Sequence, residues 1–477
     1  MKVGIGRRNI TFTDVIGNST VCAAVILLIS VTVLWPQGGL AMKAGASKRD
    51  ITVPELLKNV NIHDPLFARV LVLDDGDKSV AIACLDMDRK FFPEVNEKVA
   101  KELGIEFMLV NCSHTHSWHG SWRRGGPEWR ERVGALIYEA VEEAQANMVP
   151  VSLHTGRTRV QIGHNRYGDA FTQSVAPWVN VLEARGEDGK PVAVLFEHAT
   201  HPVMTTGTEM ISADFPAYAI KRINEELGDE VMAIFAQGCC GNINSEFVGA
   251  WVEWGEGDPF EGTEKSGREL GDAVLVAMHK STEIEADKFA LGSKNVMLPC
   301  QLPSMELWEE TIRRIKTDIS RENWPNDAAM MKRMEVLKGF MEQGKRPEVP
   351  IEINAVMLGS EWGLVTMSGE VFSEYELWVN AFAPFKHTMV FAYTNGFVSP
   401  TDNDYGSHVD TEYIGYVPTD RALAMGIKTP IVAETACMEA GSFPGFFHGV
   451  GVDGAYTCFS VGIEDIVKDG IASLWTK

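Results

Sequence analysis

The chain has 477 residues, 65 of them acidic and 43 basic, for a net charge of −22. This negative surplus argues against nucleic acid or an anionic membrane surface as the main partner, since both would repel it. The length is ample for a large buried core, and 45% apolar with 23% charged residues is the balance of a globular protein rather than a disordered one.

The amino terminus reads as a targeting segment. Lys2, Arg7 and Arg8 precede the apolar run "VCAAVILLISVTVLW" at 21–35, and "PQGGLAM" then offers small residues near Ala41. The run is shorter than the ~20 residues that cross a bilayer as a helix. Residues 1–41 are therefore expected to be an export signal, with an uncleaved signal anchor as the alternative. Either reading exports the rest of the chain, to a secreted or periplasmic location, and the second adds a membrane tether.

Beyond residue 42, apolar β-branched runs mark buried strands at 68–75, 80–88, 106–113, 192–200, 230–238, 363–370 and 388–396. Helical patterns lie between several of them, at 93–103, 127–147, 214–227, 263–282 and 370–382. Strands alternating with helices predict an α/β fold, with a mixed or largely parallel sheet core flanked by helices. Residues 304–345 stand apart as two charged amphipathic helices broken near Pro325, a helical hairpin insertion that packs outside or covers a cleft. The eight cysteines follow no repeating spacing, so buried free thiols are expected rather than a disulfide framework or a zinc ribbon.

Chemistry gathers where strands end. "EFMLVNCS" runs into His114-Thr-His116, "VAVLFE" into His198-Ala-Thr-His201-Pro202, and "EVMAIFAQ" into the loop "GCCGNINSE". "GLVTMS" runs into Gly369-Glu370, and "VAIAC" into the pair Asp86 and Asp88. Carboxyl ends of strands line the ligand crevice in open α/β sheets, so five such ends point to an enzyme. His114 and His116 are two apart and share a face if extended. Each can ligate an ion or handle protons, while His119 sits on the following loop. Pro202 works against a helical pairing of His198 with His201, so only one is expected to enter the site. Glu370 is either a ligand or an acidic residue opening a helix, where the macrodipole favours it. Two histidines and a carboxylate with one open position are what a catalytic zinc uses.

Taken together, "MKAGASKRDITVPE" (42–55), "IHDPLFARVLVLDDG" (62–76), "CSHTHSWHG", "HNRYG" (164–168), "HATHPV", "ISADFPAYA" (211–219), "GCCGNIN", "MSGEVF" and "YIGYVPT" (413–419) resemble the neutral/alkaline ceramidase family across nearly all of 42–440. The resemblance implies a zinc amidase. It implies Zn2+ on His114, His201 and Glu370, completed by a tyrosine, Tyr416 first and Tyr413 second. It further implies His116 at the reacting carbonyl and Arg166 orienting a small-molecule or lipid-like substrate. Residues 42–477 would then form one catalytic domain.

Two departures qualify what the resemblance implies. The family places its nucleophilic serine where this loop has Asn244, and Ser245 lies one position late. The family's C-terminal β-sandwich domain has no room after residue 440 and is expected to be lacking. The expected activity is therefore hydrolysis of an amide or ester by metal-bound hydroxide, with Asn244 and His116 stabilising the oxyanion. The alternatives are a true ceramidase using Ser245 as nucleophile, and an inactive metal-stabilised protein that binds lipid or glycan.

Overall fold

The computed structural model describes residues 42–57, 60–88, 92–118, 121–165, 175–208, 210–245, 258–285, 288–299, 348–396, 416–424 and 459–475, with scattered positions between 302 and 346. The leader at 1–41, most of the hairpin expected at 304–345, His119, Arg166 and Tyr413 lie outside the described residues.

In chain order the main elements are β1 (Lys43–Asp50), β2 (Phe67–Asp74), β3 (Ser79–Leu85), α1 (Pro93–Leu103), β4 (Phe107–Cys112), α2 (Ser121–Ala146), β5 (Val149–Arg159), β6 (Gly163–Asn165), β7 (Trp178–Gly186) and β8 (Pro191–His198). There follow α3 (Phe215–Leu227), β9 (Met232–Gln237), β10 (Ile243–Ser245), α4 (Pro259–His279), β11 (Phe289–Pro299), β12 (Glu348–Leu358), β13 (Trp362–Met367), α5 (Ser373–Phe382), β14 (His387–Phe391) and α6 (Ile463–Ala472).

The large sheet runs β9-β8-β7-β5-β1-β2-β3-β4, and a second sheet runs β11-β12-β13-β14. Three pairs are parallel, β8 with β9, β3 with β4 and β13 with β14; the other neighbours are antiparallel. The fold is thus α/β with a mixed sheet core, as expected from the alternating elements.

The apolar runs follow from burial on both faces. In β2, Val70 and Val72 share a core with Val133, Ile137 and Ala140 of α2. The intervening Leu71 and Leu73 share another with Leu364 and Met389 of the second sheet. Each such side chain contributes about 1.5–3 kcal/mol on burial. Helices α3 and α4 cover β7–β9, where Phe196, Phe235 and Phe215 form a ring chain with centroids 5.6 and 5.9 Å apart. Of the strands that the apolar runs did not mark, β5 (VPVSLHTGRTR) and edge strand β11 (FALGSKNVMLP) are half-exposed, whereas β7 and β12 are mostly buried.

Strand ends are drawn together by the segment after β14. Ala392 N–H donates to Gln237 O at 3.1 Å and Asn395 N–H to Val110 O at 2.7 Å, so the segment joins the ends of β9 and β4. The buried Asn111 side chain locks the junction, donating to Ala392 O at 2.7 Å and accepting from Gln237 N–H at 2.8 Å.

The membrane tether that the alternative reading of the leader would add is corrected here. Among the described residues no helix is long and apolar enough to cross a membrane. The longest described helices carry charge throughout, as in SWRRGGPEWRERVGALIYEAVEEAQA of α2. A membrane-anchored location is therefore not carried forward. Cys84, Cys112, Cys239 and Cys240 are buried thiols rather than parts of a disulfide framework, as their irregular spacing suggests.

Candidate metal centre

Just past β4 the chain turns sharply. His114 adopts φ +65°, a left-handed backbone uncommon outside glycine and a form of strain found at functional sites. Its N–H donates to Met87 O at 2.8 Å, which fixes the turn. Its Nδ1 faces both the main-chain O and the carboxylate Oδ1 of Asp88, each at 2.9 Å. His116 follows, held by its N–H donating to Pro202 O at 3.1 Å.

His201 arrives from the segment after β8. Its N–H donates to Ile243 O at 3.1 Å, and its Nδ1 lies 2.6 Å from Cys240 O and 3.0 Å from Ile243 O. The glycine loop between β9 and β10 therefore serves as the cradle of this ring. Gly241 lets the loop approach, since a Cβ there would stand 2.3 Å from Glu370 O. His198, the other histidine of its motif, turns away: Nδ1 faces Trp178 O at 2.9 Å and Nε2 faces Thr200 Oγ1 at 3.1 Å. Burial pushes its pKa down to about 4, against the pull of the Trp178 carbonyl, so it is a neutral structural residue.

Glu370 does not open a helix, as the first-turn alternative would have it. It lies in a two-residue strand, Glu370–Val371, paired in parallel with Tyr416–Val417, and α5 starts only at Ser373. Its carboxylate faces inward. Oε2 is 3.3 Å from His114 Nε2 and 3.2 Å from His201 Nε2, and the Tyr393 hydroxyl donates to it at 3.4 Å. His116 Nε2 lies 3.2 Å from His114 Nε2, and ligating atoms of His114, His116 and His201 all fall within 4.8 Å of one another.

The tautomers decide what this cluster can hold. A ring whose Nδ1 faces carbonyl oxygens carries its proton there, which leaves Nε2 as a lone pair. In His114 and His201 both Nε2 lone pairs then face the Glu370 carboxylate. Three electron-rich atoms so close need a positive charge among them. Ligands ~2.1 Å from a tetrahedral ion stand ~3.4 Å from one another, close to the spacing here. Without an ion, a proton fills the role. Burial opposes the charged ring, but Glu370 and Asp88 raise His114 to about 10. Burial likewise opposes the Glu370 carboxylate, yet His114 and His201 hold it well below the usual carboxylate range. The residues present therefore fit a divalent metal.

The remaining candidates are placed as follows. Tyr416 is buried and is the register partner of Glu370. Asn244 and Ser245 lie on β10, where alternation points them to opposite faces, with Ser245 completely buried and Asn244 partly open. Tyr393 is a site residue that sequence reasoning missed. It stacks on His114 with centroids 4.5 Å apart, and Cys240 Sγ donates to its hydroxyl at 3.2 Å. Its signal was its position at the end of the 388–396 run, the same placement that marked the histidines. Asp88, read as a strand-end acid, supports His114.

No protein-family model matches the chain, and no curated protein matches it in sequence. Solved structures do match. The crystal structure of neutral ceramidase from Pseudomonas aeruginosa aligns with TM-score 0.60 and 16% identity, over 91% of this chain and 74% of that one. A ceramidase complexed with C2 aligns with TM-score 0.58 and 15% identity, over 80% of this chain and 70% of that one. At such identity the likeness is one of fold. The chain thus combines a neutral-ceramidase fold over most of its length with a His–His–His cluster able to coordinate a metal ion.

Proposed function

We propose that the protein is a zinc-dependent hydrolase that cleaves an amide (N-acyl) or ester bond. One observation carries the reading: one carboxylate oxygen lies 3.2–3.3 Å from each of two Nε2 lone pairs in full burial, on a ceramidase-like fold. A zinc ion at such a site lowers the pKa of a water to ~7 and polarises a carbonyl.

His114, His201 and Glu370 would hold the ion, with a tyrosine completing the set. The pairing of Tyr416 with Glu370 favours Tyr416 over Tyr413. His116 is the histidine of the cluster with its rim open to solvent, at 8% exposure against none for His114 and His201. It is assigned to take the proton released by water and to steady the carbonyl oxygen. Asn244, beside His201 in a parallel bridge, is assigned as an oxyanion donor. Arg166 is assigned to orient the substrate. The burial of Ser245 on the far face of β10 supports water as nucleophile in preference to a seryl intermediate.

The test is a panel of N-acyl amides and p-nitrophenyl esters offered to the protein as purified, after chelation and after zinc is restored. Turnover that disappears on chelation and returns with zinc is expected. Bound zinc with no turnover of any amide or ester would instead mark a metal-stabilised binding protein.

A further inference from the structure

The motif "HNRYG" contributes a second residue besides Arg166. β6 pairs antiparallel with β10, and His164 is the register partner of Asn244. Asn244 in turn bridges in parallel to His201. Register partners project to the same side, so His201, Asn244 and His164 form a row across the bridged segment after β8 and the two strands β10 and β6. Strands are spaced ~4.8 Å apart, which sets the His164 backbone ~10 Å from that of His201.

The row differs in burial along its length. His201 is completely buried in the metal cluster, Asn244 is partly open and His164 is exposed. The flanking residues of β6 and β10, Gly163, Asn165, Ile243 and Ser245, are all buried on the other face. β6 is also pinned in place. A Cβ at Gly163 would stand 2.7 Å from Asn244 O and 2.8 Å from Thr200 Oγ1, so glycine permits the strand to press directly on the segment carrying His201.

We propose that His164 is a further catalytic residue, the acid that protonates the leaving group. The proposal rests on the hydrolase reading above. A carbonyl held at the His201 end of the row extends its scissile bond over Asn244, toward His164. Oxygen from water bonds to the carbonyl carbon, and the proton it loses passes to His116. The C–N bond breaks with its electron pair on nitrogen, and nitrogen takes the proton of the His164 imidazolium. The carboxylic acid so formed gives its remaining proton to solvent, as does His116, leaving carboxylate and amine as the products. Because His164 faces solvent, it regains its proton from water between turnovers, which no completely buried histidine of the cluster can do as readily.

The leaving group supplies the test. p-Nitrophenolate departs without a proton, whereas an alkylamine cannot. His164→Gln and His164→Ala are compared with the unaltered protein on p-nitrophenyl butyrate and N-hexylbutyramide, with zinc content measured for each. The expected result is a kcat on the amide lower by ~10²-fold, an ester kcat within about threefold, and partial rescue of the alanine variant by added imidazole. Equal losses on both substrates, or no loss on the amide, would overturn the assignment of His164. Absence of turnover by the unaltered protein would overturn the hydrolase reading and this assignment with it.

Discussion

His114 Nε2 and Glu370 Oε2 lie 3.3 Å apart, from residues 256 positions distant in sequence (370 minus 114), and neither residue has appreciable exposure. Such a contact is favourable only with a positive charge shared between the two atoms. The surroundings of His114 are organised to present that nitrogen. Its other nitrogen is held by Asp88, its backbone is held left-handed at φ +65°, and Tyr393 covers its ring.

Asp88→Ala removes one of the two oxygens facing His114 Nδ1 but leaves the main-chain carbonyl at 2.9 Å. The ring keeps its tautomer, and the loss is confined to orientation and basicity. Zinc affinity, measured by competition with a chromogenic chelator, is expected to fall ~10-fold, the lower end of what such supporting residues contribute.

Tyr393→Phe keeps the stacking on His114 and deletes the hydroxyl that donates to Glu370 and accepts from Cys240. Zinc affinity is expected to drop ~10-fold with little change in thermal midpoint, since the aromatic volume is retained. A large loss of stability with unchanged affinity would assign the hydroxyl to packing alone.

Asn244 and Ser245 separate the two nucleophile readings. With water as nucleophile, Asn244→Ala lowers kcat by ~10²-fold and Ser245→Ala leaves the protein unlabelled, as before, by a serine-directed acylating probe. Steady-state kinetics and intact mass after probe treatment read the two effects. Acylation abolished by Ser245→Ala would restore the serine mechanism.

His198 predicts a pH dependence of stability. Its folded pKa, about 4, lies below the ordinary histidine value of 6.5 because the ring is buried. Between those values the unfolded chain binds a proton that the folded ring refuses, so stability rises with pH across the window and is lost as pH falls through it. His198→Gln retains a donor toward Trp178 O and an acceptor toward Thr200 while removing the titration. The variant is expected to lose less stability than the unaltered protein between about pH 7 and about pH 4.5, by up to roughly 3 kcal/mol. Urea midpoints at the two pH values read the difference.

Much of the frame is legible from residue pattern because its strands are buried on both faces. VAIAC, VAVLF and MAIFA leave no alternative to a buried strand when helices flank them. β5 and β11 escape because half-exposed strands carry Ser, Thr, Lys and Arg among their apolar residues. At the site, the rule that polar residues collect at strand ends marks His114, His201, Glu370 and Asp88, all of which the fold brings into contact or near it. It passes over Tyr393, because a tyrosine closing an apolar run reads as core. It also passes over His164, whose place depends on the pairing of two three-residue strands that no local pattern reveals.

The most direct measurement is elemental analysis of the purified full chain beside its His201→Ala and Glu370→Gln variants, each checked for retained secondary structure by circular dichroism. If His114, His201 and Glu370 form a zinc site, the unaltered protein holds about one zinc per chain after dialysis against zinc and then zinc-free buffer, and both folded variants hold a substoichiometric content. An unaltered protein that retains no divalent metal, or folded variants that retain as much as it does, would contradict that assignment.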